Sequence, residues 1–201
     1  MSMKTKSQLA DKFSGPSSLL YQNEPLTITT SGSGAQQTKT FTVTPDLDVP
    51  CKVDSLNFEQ GEASIEEYKV IGLSGAWITD SEPGDIDLGF RVPSISEDIL
   101  KLAFGADAVS AITTGTISGT GTASDGNYSG LALVLKNKKV TGTWIIVNNT
   151  KDRVMILNNT ALFASIVLDS DAKGVMAVDF NGSIESDGTN PDVIFLKKKS
   201  S

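Results

Sequence analysis

One stretch of helical character, Ser94–Phe104, stands among long runs in which apolar and polar residues alternate. Alternation at period two puts one set of side chains on each face of a strand, so most of such a chain must fold into sheets. A lone helix can then only be laid against them. This one carries its own boundaries: Pro93 closes the preceding run, Ser94 with Glu97 three residues on forms a capping-box pattern, and Gly105 supplies a left-handed C-terminal residue. Ile95, Ile99, Leu102 and Ala103 fall on one helical face, the expected contact with the sheet. The fold class expected is therefore mainly β, an antiparallel β-sandwich or barrel with one packed α-helix over 94–104.

The alternating runs begin at Thr38–Thr44, with Phe41 and Val43 on one face. They continue through Val49, Cys51 and Val53, then Leu56 and Phe58, then Ala63, Ile65 and Glu67, with Gln60-Gly61-Glu62 placed where a hairpin would turn. Ala76–Thr79 and Asp85–Val92 add two strands before the helix. After it come Tyr128–Leu135, Val140–Val147, Arg153–Leu157, Ala161–Leu168, Val175–Ile184 and Val193–Leu196. Their expected turns lie at 136–139, 148–150, 158–160, 169–174 and 186–190, which makes an antiparallel meander. Residues 115–126 read as a low-complexity linker or a hairpin tip. Residues 1–37 mix short apolar patches with Gly15-Pro16-Ser17-Ser18 and Ser31–Gly34, the composition of a flexible N-terminal arm. The organisation expected is that arm, a single β-rich domain over 38–196 and a basic tail over 197–201.

Composition narrows the chemistry. The chain has 201 residues, enough to bury a core as one domain, a formal net charge of −7, no histidine and one cysteine. An acidic balance argues against tight reading of DNA, which needs clustered Lys and Arg to replace counterions. Cys51 has no partner for an internal disulfide and reads as a small buried hydrophobe in a reducing compartment. No apolar run of signal-peptide length follows Lys4 and Lys6, and no run approaches the roughly 18 apolar residues that would span a bilayer, so synthesis and folding in the cytoplasm are expected.

Motifs that would carry a reaction fall short of what the reaction needs. Asp169-Ser-Asp-Ala-Lys-Gly174 opens like a calcium loop, but Lys173 takes a ligand place and Phe180 stands where the bidentate Glu belongs. Gly115–Gly126 lacks the Gly-Lys-Ser/Thr ending of a phosphate loop. Without histidine a serine hydrolase would need a Ser–Lys pair or another base, and no nucleophile elbow is present. Glu66 and Glu67 point to opposite faces of a strand, unlike an acid/base couple. Asn127, Asn148, Asn158 and Asn181 each open a glycosylation pattern, read here as turn chemistry. No catalytic residue, cofactor or metal is assigned.

Charge, by contrast, is segregated along the chain. Lys52–Asp107 holds twelve acids against four bases, net −8, and Leu131–Ala161 holds five bases against one acid, net +4. Glu59, Glu62, Glu66, Glu67, Asp80, Glu82, Asp85 and Asp87 are the candidate assembly or lumen surface; Lys136, Lys138, Lys139, Lys151 and Arg153 are the candidate complementary stacking surface. On opposite sides of a subunit, two such regions would let copies stack head to tail, a contact that generates rings or filaments.

The order of these features resembles the major tail tube proteins of long-tailed bacteriophages, which share a fold with the tube proteins of contractile injection and type VI secretion systems. The likeness covers about residues 38–196: a polar N-terminal arm before it, a long early hairpin region over Val49–Gly72, strands up to Val92, the mid-chain helix, and a closing meander ending in Val175–Ile184 and Val193–Leu196. It implies a structural subunit without a catalytic site, forming hexameric rings that stack into a hollow tube. A sheet from each copy would join an inner barrel, and DNA would pass an acidic lumen without specific binding. The partners implied are further copies of the chain and other tail proteins, with no membrane. The location implied is the host cytoplasm during assembly and then the virion tail. The alternatives are a tail terminator or capsid decoration protein, or a β-sandwich binding module of adhesin, pilus-like or carbohydrate-binding type in which Trp77, Trp144 and Tyr128 would line a ligand face.

Overall fold

The computed structural model describes residues 13, 15–33, 38–52, 54–69, 71, 76–82, 84–118, 126–169 and 174–199. The fold is mainly β, with one α-helix among the described residues, and every strand pair whose register is defined is antiparallel. The chain divides into two compact units, each discontinuous in sequence. Unit 1 takes residues 1–53, 141–160 and 185–201; unit 2 takes 54–140 and 161–184.

Of the arm expected over 1–37, residues 1–12, 14 and 34–37 lie outside the described residues, and the described part is built into unit 1. Pro16–Gln22 is strand β1, an interior strand that pairs on one edge with β11 (Lys139–Asn148) and on the other with β4 (Leu47–Val49). Burial decided this: Leu19 and Tyr21 point to one face opposite Ile146 and Trp144, all four buried, while Leu20 points to the other, opposite Ile145. The Tyr21 and Trp144 rings meet at 4.8 Å. The following segment, with β2 (Thr29–Ser31) paired to β3 (Thr38–Thr40), lays Leu26, Ile28, Phe41 and Val43 over Ile145 and Ile156. Gly-Pro-Ser composition suggested a mobile segment, but the apolar residues between those breakers belong to the core.

The expected turn at 158–160 also fails. Strand β12 runs unbroken over Arg153–Asp169, and its first half pairs with β14 (Val193–Lys197), so Lys197 belongs to a strand rather than to a tail. Asn158 and Thr160 are buried within β12 because their side chains bond across the sheet. Asn158 Oδ1 accepts from the Leu26 amide at 2.9 Å and from Thr143 Oγ1 at 3.2 Å, and Thr160 Oγ1 donates to the Gly142 carbonyl at 3.1 Å. Gly142 has φ 138°, and a Cβ there would strike the Gln22 carbonyl, so glycine allows the close approach of β1 to β11.

In unit 2, β13 (Val175–Ile184) pairs with β8 (Ile86–Val92), which pairs with β5 (Asn57–Gln60). Leu88, Phe90 and Val92 are buried on one face of β8; Phe90 stacks on its register partner Phe180 at 5.1 Å. On the opposite face Arg91 and its register partner Asp179 form a two-pronged ion pair, Nε–Oδ1 2.6 Å and Nη2–Oδ2 2.8 Å.

Helix α1 covers Glu97–Phe104, shorter than expected. Ser94 does not cap it: Ser94 Oγ accepts from the Ser96 amide in a local turn, Ser96 is the N-cap residue, and the first helical bond runs from Leu100 N–H to the Ser96 carbonyl. The later start turns the buried face to Ile99, Leu100, Ala103 and Phe104, leaving Ile95 exposed. Ile99, Leu100 and Phe104, each worth roughly 1.5–3 kcal/mol when buried, fix the helix, with a smaller contribution from the Ala103 methyl. Gly105 ends it at φ 102° and ψ 149°, a positive φ that glycine accepts but with an extended ψ in place of the expected left-handed helical one.

Two predictions follow from unit 1. Asn158→Ala strands the Leu26 amide in the core, and chemical denaturation should show a loss of roughly 2–3 kcal/mol; a loss under about 0.5 kcal/mol would show that the amide finds another acceptor. Tyr21 donates to the Thr141 carbonyl at 2.6 Å, and burial, then Asp46 and Glu24, push its pKa up to about 12. Because this lies above the unfolded value of about 10, the stabilisation is whole below pH 10 and drains as pH climbs towards 12. Urea midpoints should fall across that window in the native chain and hold flatter in Tyr21→Phe.

Candidate assembly surfaces

The eight acids proposed from sequence lie on one structural element. Strands β5 and β6 (Ser64–Lys69) face β8 and β7 (Ala76–Glu82) in one continuous antiparallel register, Gln60 opposite Ile86 and Ser64 opposite Glu82, so their described residues form one long ribbon. Gln60–Glu62 is therefore not a turn: the Gly61 amide donates across the ribbon to the Asp85 carbonyl at 2.8 Å, and residues 70 and 72–75 lie outside the described residues. Backbone register sets Glu59 opposite Asp87 and Glu66 opposite Asp80, with Glu82 opposite Ser64. Glu59, Glu62, Glu66, Glu67, Asp85 and Asp87 are exposed; the side chains of Asp80, Glu82 and Trp77 lie outside the described residues. Like charges directly opposite each other weaken a ribbon, yet they also discourage an unwanted strand from adding to it.

The five bases do not form one set. Lys136, Lys138 and Lys139 belong to unit 2, Lys151 and Arg153 to unit 1. Lys136 pairs with Asp107 at 2.7 Å, and that ammonium holds the Asp107 carboxyl below its ordinary range; Lys138 Nζ donates to the Leu102 carbonyl at the C-terminal end of α1. A cation there meets the negative end of the helix. Lys151 sits at φ 55° in the turn between β11 and β12, which Asn148 organises by accepting from the amides of Asp152 and Arg153. Asn148 thus serves turn chemistry as expected, whereas Asn158 serves the core.

Sequence reading missed strand β9 (Val109–Ile117). It pairs along its length with β10 (Gly126–Leu133), close to the strand expected at Tyr128–Leu135, with a bulge between Tyr128 and Gly130, so of the two readings of 115–126 the hairpin fits and the linker does not; 119–125 lie outside the described residues. Leu133 and Leu131 sit opposite Val109 and Ala111 on one face. Ile112, opposite Gly130, shares the other face with Tyr128 and Ile117. Ile112, Ile117 and Tyr128 are 42, 48 and 44 % exposed, and neither β9 nor β10 contains a charged residue. The absence of charge was the available signal, masked by glycine and serine.

Other sites are sparse. An open hollow of about 400 Å³ in unit 1 is lined by Gln22, Glu24, Pro25, Thr27, Thr29, Thr40, Phe41 and Thr42. Among the described residues no cluster of three or more His, Cys, Asp or Glu is placed to hold a metal, and no helix is long and apolar enough to cross a membrane. The calcium-like motif over 169–174 falls mostly outside the described residues. Cys51 is only half-buried, more open than expected. Trp144 is fully buried in unit 1 and cannot line a ligand face; Tyr128 is the exposed member of the aromatic trio whose side chain is described.

No family model and no curated protein matches this chain.

The facing acids give a direct test. Glu59→Lys replaces a like-charge pair with an opposite one across from Asp87, and low-salt melts should show a gain of roughly 0.5 kcal/mol that fades near 1 M salt. An unchanged or lowered midpoint at low salt would mean the two carboxylates do not feel each other.

Proposed function

We propose that this chain is a structural subunit of a bacteriophage or prophage-derived tail tube, assembling into stacked six-membered rings around a conduit for DNA. The observation that carries the reading is the pair of long ribbons, β5–β6 with β7–β8 and β9 with β10. Outside the β5–β8–β13 portion, each strand of these ribbons has one partner strand among the described residues. Isolated two-stranded ribbons are marginal in water, and a fold that extends an uncharged one, β9 with β10, gains by meeting other copies. The acidic ribbon suits a wall that DNA passes, since exposed carboxylates repel phosphate. The subunit would assemble in the host cytoplasm, join other tail proteins and end in the virion tail, with no catalytic role. The binding-module reading loses support from the burial of Trp144.

Negative-stain imaging and sedimentation across a concentration series test this. Hollow rings or tubes are expected, with no retention of duplex DNA at physiological salt. A chain that stays monomeric at the highest concentration, in low and high salt alike, would sink the proposal.

A further inference from the structure

We infer that the uncharged ribbon β9–β10 is a contact between copies of this chain, formed by pairing the outer strand edge of one ribbon with that of the next copy. The inference rests on the assembly reading above and names the surface that serves it.

Three observations meet at this element. First, among the described residues the outer edges of β9 and β10 have no strand partner, leaving backbone donors and acceptors along nine- and eight-residue strands. Second, Ile112, Ile117 and Tyr128 stand exposed on one face, and Leu131 on the other. Natural sheets guard such edges with lysine, proline, inward charge or bulges; β9 and β10 have no charge and no proline, and their register shifts once, between Tyr128 and Gly130, leaving Gly126–Tyr128 and Gly130–Leu133 in regular pairing. Third, the rest of the molecule says which partner fits. With a net charge of −7, two copies repel each other across most surfaces, and the acidic ribbon adds to that repulsion. Copies can approach closely where charge is absent, and of the two long ribbons only β9–β10 is free of it. A nucleic acid or a charged membrane surface would find no cation in these strands to hold it.

The two outer edges belong to different strands, so joining β9 of one copy to β10 of the next is head-to-tail. Such a contact closes into a ring if the rotation permits, and closure removes the open edges altogether.

The test uses the full-length chain and the double variant Ile112→Lys with Tyr128→Lys. Both positions are exposed, and circular dichroism melts check that the fold survives. Sedimentation should show the variant associating roughly hundredfold more weakly than the native chain, because each joint then carries facing like charges. Hydrogen exchange should show β9 and β10 amides gaining protection as concentration rises. Raising salt from about 0.05 to about 0.5 M should leave native association unchanged or strengthen it, since screening relieves the repulsion between acidic copies. If the variant fails to fold, exchange and salt dependence of the native chain decide alone. Native-like assembly of a folded variant, unprotected ribbon amides in the assembled state, or association that collapses with salt would each overturn the inference. Rings that persist in the variant would leave the tube reading standing without this surface. Dimers joined through the ribbon, with no rings at any concentration, would keep the surface and remove the tube.

Discussion

Where the backbone hydrogen bonds of each strand go governs this molecule. A buried amide or carbonyl without a partner costs as much as a lost hydrogen bond, so strands in the core must be flanked on both sides. In unit 1 that rule recruits β1 from the N-terminal segment to lie between β4 and β11. Where the chain leaves the ladder at Leu26, it recruits a side chain, Asn158, to accept the amide. In unit 2 the same rule places β8 between β13 and β5. Away from those sheets the rule relaxes, because water can satisfy an exposed edge, and the chain runs out into ribbons.

The two ribbons answer the exposure of their edges in opposite ways. The β5–β8 ribbon sets Glu59 against Asp87, accepting a small internal cost in return for a surface that strands of other molecules avoid. The β9–β10 ribbon carries no such guard. In the assembly proposed above, an edge left uncharged in one place and charged in another would restrict which approach between copies succeeds, since specificity draws on attractive and repulsive elements together.

Most of the mainly-β fold could be read from alternation, because a half-buried strand writes its two faces directly into the sequence. Val175–Ile184 and the close of the chain at Val193 are found where the pattern puts them. The failures share a cause: residues that act locally in most sequences act at long range here. Asn158-Asn-Thr160 has turn composition, but its side chains reach Leu26, Thr143 and Gly142, and the strand continues. Pro16 and Ser17 resemble a linker until Leu19 and Tyr21 are set against Ile146 and Trp144, partners more than a hundred residues away. Ser94 and Glu97 match a capping box, yet Ser94 is spent on the Ser96 amide and the helix starts later, which rotates its apolar stripe. Local patterns report propensity, and tertiary burial decides among them.

The acidic candidates were legible as a group because eight of them fall on one continuous ribbon, where strand order preserves sequence proximity. The basic candidates were not, because proximity in sequence between Lys139 and Lys151 spans the boundary between the two units. Two of those bases are also used within the molecule: Lys136 holds Asp107 and Lys138 meets the end of α1. A cation already paired at 2.7 Å contributes little further attraction to a second carboxylate, so charge complementarity between copies is weaker than the sequence tally implies. The balance between acidic repulsion and any joining force then shifts to uncharged surface, where strand edges and exposed apolar side chains act together at short range.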